Sequence, residues 1–188
     1  MNLLFAVSRS LRLHPMRERP SVVPAANVSD RSAMRNPPSL IPQHFELDVD
    51  VPDVKRALEH AADALSHAHG LDPAPVFRAL WRREQIGSTA VGHGVALPHA
   101  RIAGITEPLM LYLRPRYAVD FNAPDGRLVT RIWVILVPAD GSADDHLKLL
   151  AAVAEACSDE GLRAHLDSAS TADDAARALR DWTRLHAA

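Results

Sequence analysis

The chain has 188 residues, 47% of them hydrophobic and 23% charged, and 21 Lys+Arg against 23 Asp+Glu give a formal net charge of −2. That length suits one domain, able to bury roughly 70% of its unfolded surface without metals or disulfides, and the near-neutral balance lacks the basic surface of a nucleic-acid-binding domain. A single cysteine, Cys157, excludes an internal disulfide framework and a Cys-rich zinc module, and no run approaches the ~20 apolar residues of a membrane-inserted helix, so a soluble, cytoplasmic protein is expected.

Composition changes near residue 38. Seven of the 14 prolines (Pro15, Pro20, Pro24, Pro37, Pro38, Pro42 and Pro52) lie in the first 52 residues. Residues 1–37 carry six arginines against Glu18 and Asp30, a local charge of +4 that leaves −6 for the rest. The run Leu3–Val7 is too short for a signal-peptide core and lacks a preceding basic segment. Residues 1–37 are therefore expected to be a poorly ordered extension, with Met34 as an alternative start and a basic docking arm as the functional alternative. Residues 38–188 are expected to form the folded domain.

From Asp53 onward the pattern is regular. Val54, Leu58, Ala61, Ala62 and Leu65 recur at helical spacing, and Gly70 is a C-cap candidate. Val76, Phe77, Leu80 and Trp81 predict a shorter amphipathic helix after Pro73 and Pro75. The stretch Gly87–Gly94 is too Gly-rich for a helix, and short strands are expected on either side. Leu109–Leu113 and Leu128–Val137 read as buried strands. After Pro138, His146, Leu147, Leu150, Val153, Ala154 and Cys157 carry a helical period. The last helix is predicted to start at Ser170, with Asp173 as its capping partner, and to run to about Leu185. Helices at both ends enclosing several strands give an α/β sandwich, without internal repeats.

Chemistry concentrates between Arg83 and Arg101, which enclose three glycines, two hydroxyls and two histidines: Gly87-Ser88-Thr89, Gly92-His93-Gly94 and Pro98-His99. The spacing of Gly87 and Gly92 suggests a P-loop, but no Lys-Ser or Lys-Thr follows. Gly92-x-Gly94 lacks the third glycine of a dinucleotide fingerprint. What remains is a backbone-exposing loop leading into Pro98, whose fixed φ and extended predecessor would present His99 in a defined orientation.

This stretch closely resembles the type 2 enzyme IIA domains of the bacterial phosphoenolpyruvate-dependent phosphotransferase system, the fructose, mannitol and nitrogen-regulatory IIA proteins. Their R-E-x-x-G-S-T segment followed by G-x-G-[IV]-A-[IL]-P-H is reproduced from Arg83 to His99. Val119–Gly126 resembles the family's turn before the central strand, and Ile135–Asp140 followed by His146 resembles its strand-to-helix segment. The resemblance runs from about Pro38 to the C-terminus and implies an α/β fold, a mixed β-sheet flanked by helices on both faces. It implies that His99 accepts a phosphoryl group, that Arg83 stabilises it, and that His146 orients or stabilises. Ser88, Thr89, Gly92 and Gly94 are implied as phosphate-loop support. The middle of Gly92-His93-Gly94 departs from the Asn common in nitrogen-regulatory members.

The chemistry of the residues agrees with that implication. Near pH 7 much of an imidazole is neutral and nucleophilic, and a phosphoryl group is well met by Arg83 and by loop N–H groups around Gly92–Gly94. The resemblance implies an HPr-type phosphocarrier protein as donor and a IIB protein or regulatory targets as acceptor, with no cofactor, no metal, no nucleic acid and no membrane insertion. The 188 residues leave no room for a fused IIB, IIC or HPr domain, which favours the nitrogen-regulatory branch over dedicated sugar uptake. The alternative function is a non-phosphorylated regulatory binding module with the same fold. A three-imidazole metal site from His93, His99 and His146 is the third reading, and it lacks an acidic ligand. His60, His67 and His69 are expected on a solvated face, Cys157 and the tryptophans in the core, and Arg101 either beside the phosphate or as a plain surface charge.

Overall fold

The computed structural model describes residues 39–186, so the expectation for residues 1–37 lies outside the described residues. In chain order the elements are β1 (His44–Val49), α1 (Val54–His69), α2 (Pro73–Ile86), β2 (Ala90–Gly92), β3 (Val95–Ala96), β4 (His99–Ile102), β5 (Leu109–Pro115), β6 (Arg131–Pro138), α3 (Ala143–Ser158), α4 (Glu160–Ser168) and α5 (Ala172–His186).

The helix ends follow from local chemistry. Asp53 caps α1 by accepting the Arg56 N–H at 2.8 Å, and Gly70 ends it in the left-handed conformation at φ 65°. α2 begins on Pro73 itself, one residue after its cap Asp72, because proline fits a first turn whose N–H has no intrahelical partner. Asp159, extended at φ −73° and ψ 119°, separates α3 from α4 and caps the latter through Leu162 N–H at 2.7 Å. The capping pair of α5 falls one residue later than expected: Thr171 and Asp174 exchange backbone and side-chain hydrogen bonds.

The six strands form a mixed sheet in the order β1-β5-β6-β3-β2, with β4 also pairing β6. β5 and β6 are antiparallel, whereas β1 runs parallel to β5 and both β3 and β4 run parallel to β6. Val95 faces Arg131 and His99 faces Ile135, so β3 and β4 keep one register along β6, interrupted at Leu97-Pro98. Proline has no N–H to give the ladder, although its carbonyl still accepts from Ile135 at 2.9 Å.

Alternation along β6 divides the core into two layers. Ile132, Val134 and Leu136 pack with Leu58, Leu65 and Leu80 of α1 and α2 on one face. Trp133, Ile135 and Val137 pack with Leu149, Val153, Leu162, Leu166 and Leu179 of α3, α4 and α5 on the other. The expected mixed sheet with helices on both faces is therefore present. Burying each of these large side chains contributes about 1.5–3 kcal/mol.

Two expectations need correction. The apolar stripe of α3 is Leu149, Val153, Ala156 and Cys157, while Leu147 is 66% exposed. And β1 and α4 are elements that the periodicity reading did not separate from their surroundings. Trp133 and Cys157 are buried as expected, and Trp81 stacks on Phe77 at 6.3 Å with both partly buried against the core.

Candidate active site

The candidate residues come from three elements around β4, the strand that pairs with β6 off the main strand order. Arg83 comes from the last turn of α2, His99 opens β4, and His146 lies in the first turn of α3. Arg83 Nε donates to His99 Nε2 at 3.1 Å, while Arg83 Nη1 donates to the Gly87 carbonyl at 2.9 Å. Across the ring, His99 Nδ1 lies 2.8 Å from the Leu97 carbonyl oxygen. A carbonyl can only accept and a guanidinium N–H can only donate. Together these contacts select one neutral tautomer, with the proton on Nδ1 and the lone pair on Nε2.

The His146 ring meets His99 edge to face, with centroids 5.4 Å apart and planes at 70°. Its Nδ1 is buried with no hydrogen-bond partner among the described residues. Burial, above all, holds the His99 pKa below the ordinary imidazole value; the Leu97 carbonyl opposes this shift and the Arg83 charge adds to it. His146 is lowered in the same way, first by burial and then by His99 and Arg101. Both rings are thereby biased toward the neutral, lone-pair-bearing form.

The loop residues are tied to the scaffold. Ser88 Oγ donates to the Phe121 carbonyl at 2.5 Å and accepts the Ala90 N–H at 3.1 Å. Thr89 is buried, and its N–H and hydroxyl both bind the Glu84 carboxylate, the hydroxyl at 2.5 Å. The turn Gly92-His93-Gly94 has positive φ throughout, at 89°, 55° and 72°. A Cβ on Gly92 would lie 3.2 Å from Asp125 Oδ2, and one on Gly94 would lie 3.2 Å from Thr130 Oγ1. His93 N–H, one of the donors expected to face a phosphate, instead donates to Asp125 Oδ2 at 2.8 Å. The Gly94 carbonyl accepts from the N–H groups of Thr130 and Arg131. Among the described residues, no hydrogen bond joins Ser88, Thr89, Gly92 or Gly94 to Arg83 or His99 directly.

His93 is exposed on its turn, and among the described residues no group of three or more His, Cys, Asp or Glu could hold a metal ion. Arg101 Nη1 donates to the carbonyls of Ala139 and Gly141, which ties β4 to the loop before α3. The sequence reading missed the Leu97 carbonyl, since a backbone acceptor leaves no mark beyond the proline after it. It also gave no role to Glu84, although that residue lies in the quoted motif.

The three-layer α/β fold thus holds His99 between an arginine and a backbone carbonyl at the start of β4, with a second histidine against its ring. A family model described as phosphoenolpyruvate-dependent sugar phosphotransferase system, EIIA 2, matches residues 39–182, and the chain belongs to this family. A nitrogen regulatory protein of Pseudomonas aeruginosa is 37% identical over 120 residues, covering 63% of this chain and 77% of the relative. Among solved structures, nitrogen regulatory protein IIA-Ntr from Neisseria meningitidis is similar at 38% identity and a TM-score of 0.68, over 72% of this chain and 92% of that one. Enzyme IIA mannitol of Escherichia coli, in its complex with phosphorylated enzyme IIB mannitol, shares the fold at 16% identity and a TM-score of 0.61, over 73% and 94% of the two chains. Among the described residues no helix is long and apolar enough to cross a membrane.

Proposed function

We propose that this chain is a phosphohistidine carrier that accepts a phosphoryl group on His99 Nε2 from an HPr-type phosphocarrier protein. It passes the group to a IIB protein or uses its phosphorylation state to regulate other proteins. The observation that carries this reading is the fixed tautomer of His99, with its lone pair on Nε2 and the Arg83 guanidinium at that nitrogen. The nitrogen-regulatory role is favoured by the relatives at 37% and 38% identity.

In this reading the Nε2 lone pair attacks the phosphorus of the donor's phosphohistidine. The new N–P bond forms as the donor's N–P bond breaks, and the leaving electron pair stays on the donor nitrogen. The Nδ1 proton remains on His99, where the Leu97 carbonyl stabilises the positive charge that develops on the ring. The N–H groups of Arg83 pass from Nε2 to the phosphoryl oxygens, and His146 holds the ring orientation or donates to the same oxygens. Such a transfer needs positioning and charge stabilisation more than a separate acid or base. Ile86, beside the Arg83–Gly87 contact, is 80% exposed, and Leu147, beside His146, is 66% exposed. These apolar side chains flank the site where a protein partner would seat.

The test is incubation with phosphoenolpyruvate, enzyme I and an HPr-type carrier, followed by intact mass. The expected result is one added phosphate, labile in acid and stable in base, that is absent from His99→Ala. His146→Ala is expected still to be phosphorylated but to pass the group onward about 10²–10³-fold more slowly, as when one stabilising donor is deleted. An acid-stable phosphate on His99→Ala would overturn the reading.

A further inference from the structure

His99 is gripped at both nitrogens from the same end of α2. Arg83 reaches Nε2 directly. The next residue, Glu84, reaches the other end of the ring through three links. Its carboxylate accepts from Thr89 N–H at 3.1 and 3.2 Å and from Thr89 Oγ1 at 2.5 Å. The Thr89 carbonyl accepts the Leu97 N–H at 3.0 Å, and the Leu97 carbonyl accepts the His99 Nδ1 proton at 2.8 Å. Thr89 and Leu97, the two middle members of the relay, are both buried, at 5% and 4% exposure. Leu97 also precedes Pro98, which restricts its backbone to extended conformations, so the hydrogen bond at its N–H and the carbonyl that meets His99 belong to one stiff segment.

We propose that Glu84 is a positioning residue of this site: by clamping Thr89 it fixes Leu97, and through the Leu97 carbonyl it keeps the His99 proton on Nδ1 and the lone pair on Nε2. The inference rests on the phosphohistidine reading for its consequence, but not for its geometry. Among the described residues Glu84 makes no hydrogen bond to His99: its charge acts on the ring directly by raising the His99 pKa, and its positioning effect runs through the relay. Because Arg83 and Glu84 are consecutive on one helical turn, α2 sets both the group that meets the phosphoryl oxygens and the group that sets the tautomer. A shift at the C-terminal end of α2 would therefore disturb both at once. Misplacing a reacting atom by a fraction of an ångström to 1 Å costs one to two orders of magnitude in rate, and outer-shell partners that orient a functional imidazole contribute a similar 10–100-fold.

The test uses the intact chain and two independent readouts. The first is the His99 tautomer in the unphosphorylated protein, followed by long-range proton–nitrogen correlation NMR, which requires no phosphoryl donor. The wild type is expected to show the Nδ1–H form. Glu84→Ala is expected to show a mixture of the two tautomers and exchange of the Leu97 amide at least tenfold faster. The second is phosphoryl uptake from the phosphorylated carrier, where Glu84→Ala is expected to lower kcat about 10–100-fold with KM within twofold. Glu84→Gln, whose amide oxygen still accepts from Thr89 N–H, is expected to recover most of that loss. Thr89→Val removes the hydroxyl bond from the other side and carries the test should Glu84→Ala fail to fold; Thr89→Ser is its rescue. An unchanged tautomer and Leu97 amide in a folded Glu84→Ala or Thr89→Val protein would overturn the proposal, as would equal losses in the Gln and Ala variants. Failure of the phosphohistidine reading looks different: the wild type itself takes up no phosphate, whatever the NMR shows.

Discussion

Arg83→Ala separates stabilisation of the fold from stabilisation of the transferred group. In the resting protein Arg83 makes two hydrogen bonds, from Nε to His99 and from Nη1 to the Gly87 carbonyl. Its side chain is only half-buried, so water replaces much of what is lost, and the expected cost to folding is about 1 kcal/mol. For a domain of this size that is a fall in Tm of about 2–4 °C. In the proposed transfer the same guanidinium would face developing phosphoryl charge, where deleting one preorganised donor costs about 10²–10³-fold in rate, or about 2.7–4 kcal/mol. The two effects differ in size, and one variant gives both. Removing the cation also takes away one of the influences that lower the His99 pKa, so the acid limb of the rate profile should move to higher pH. The assay is single-turnover uptake from the phosphorylated carrier, quenched and read by intact mass, at several pH values beside a thermal melt. Arg83→Lys keeps the charge but not the fork that binds both His99 and Gly87, and should fall between the two. Uptake within threefold of the wild type, with an unmoved acid limb, would refute this account of Arg83.

The pKa values of His44, His99 and His146 all lie below the ordinary 6.5, mainly because of burial. Between the folded and unfolded values the unfolded chain binds more protons, so stability is fully present above pH 6.5 and declines as pH falls through the folded values. Thermal melts should show Tm falling from pH 7 to pH 5, with a shallower slope in His99→Ala; a flat profile would contradict the assignment. Gly94 sits at φ 72°, and a Cβ there would lie 3.2 Å from Thr130 Oγ1 and 3.4 Å from the Leu128 carbonyl oxygen, so Gly94→Ala should cost about 1–2 kcal/mol, a fall in Tm of about 2–8 °C. Cys157 is 4% exposed and burial pushes its thiol pKa up to about 12. It should resist alkylation in the native protein and react fully on unfolding, by mass spectrometry; rapid native labelling would mean that α3 opens.

What the sequence made legible follows the range of the interactions involved. The α1 boundaries were readable because Asp53 and Gly70 act on backbone groups within four residues of themselves. The strand segment Leu109–Leu113 was readable because it is buried on both faces and so is uniformly apolar, whereas Arg114 and Pro115, which complete β5, carry no such mark. The face of α3 was not. Leu147 follows the helical period, but His146 beside it is turned to His99, which leaves Leu147 exposed and buries Leu149 instead. β1 hides its alternation of Phe45, Leu47 and Val49 behind a break at Asp48, whose φ of 58° shifts the register against β5. At the candidate site the residue types stood out through their spacing, and the structure brings Arg83, His99 and His146 together from three elements. The hydrogen-bond partners did not stand out. That the Gly92–Gly94 turn is closed by Asp125, and that the His99 proton goes to a leucine carbonyl, depend on contacts between segments far apart in the chain or on a backbone atom common to every residue.

On the proposed function, His99 carries the phosphoryl group on Nε2 with its proton held on Nδ1 by Leu97. The most direct measurement is long-range proton–nitrogen correlation NMR of the phosphorylated protein, labelled with nitrogen-15 and recorded immediately after transfer from the carrier. The expected spectrum shows the nitrogen–phosphorus coupling on His99 Nε2 and a proton retained on Nδ1. Phosphate on Nδ1 of His99, on His146 or His93, or on a hydroxyl such as Ser88 would contradict it.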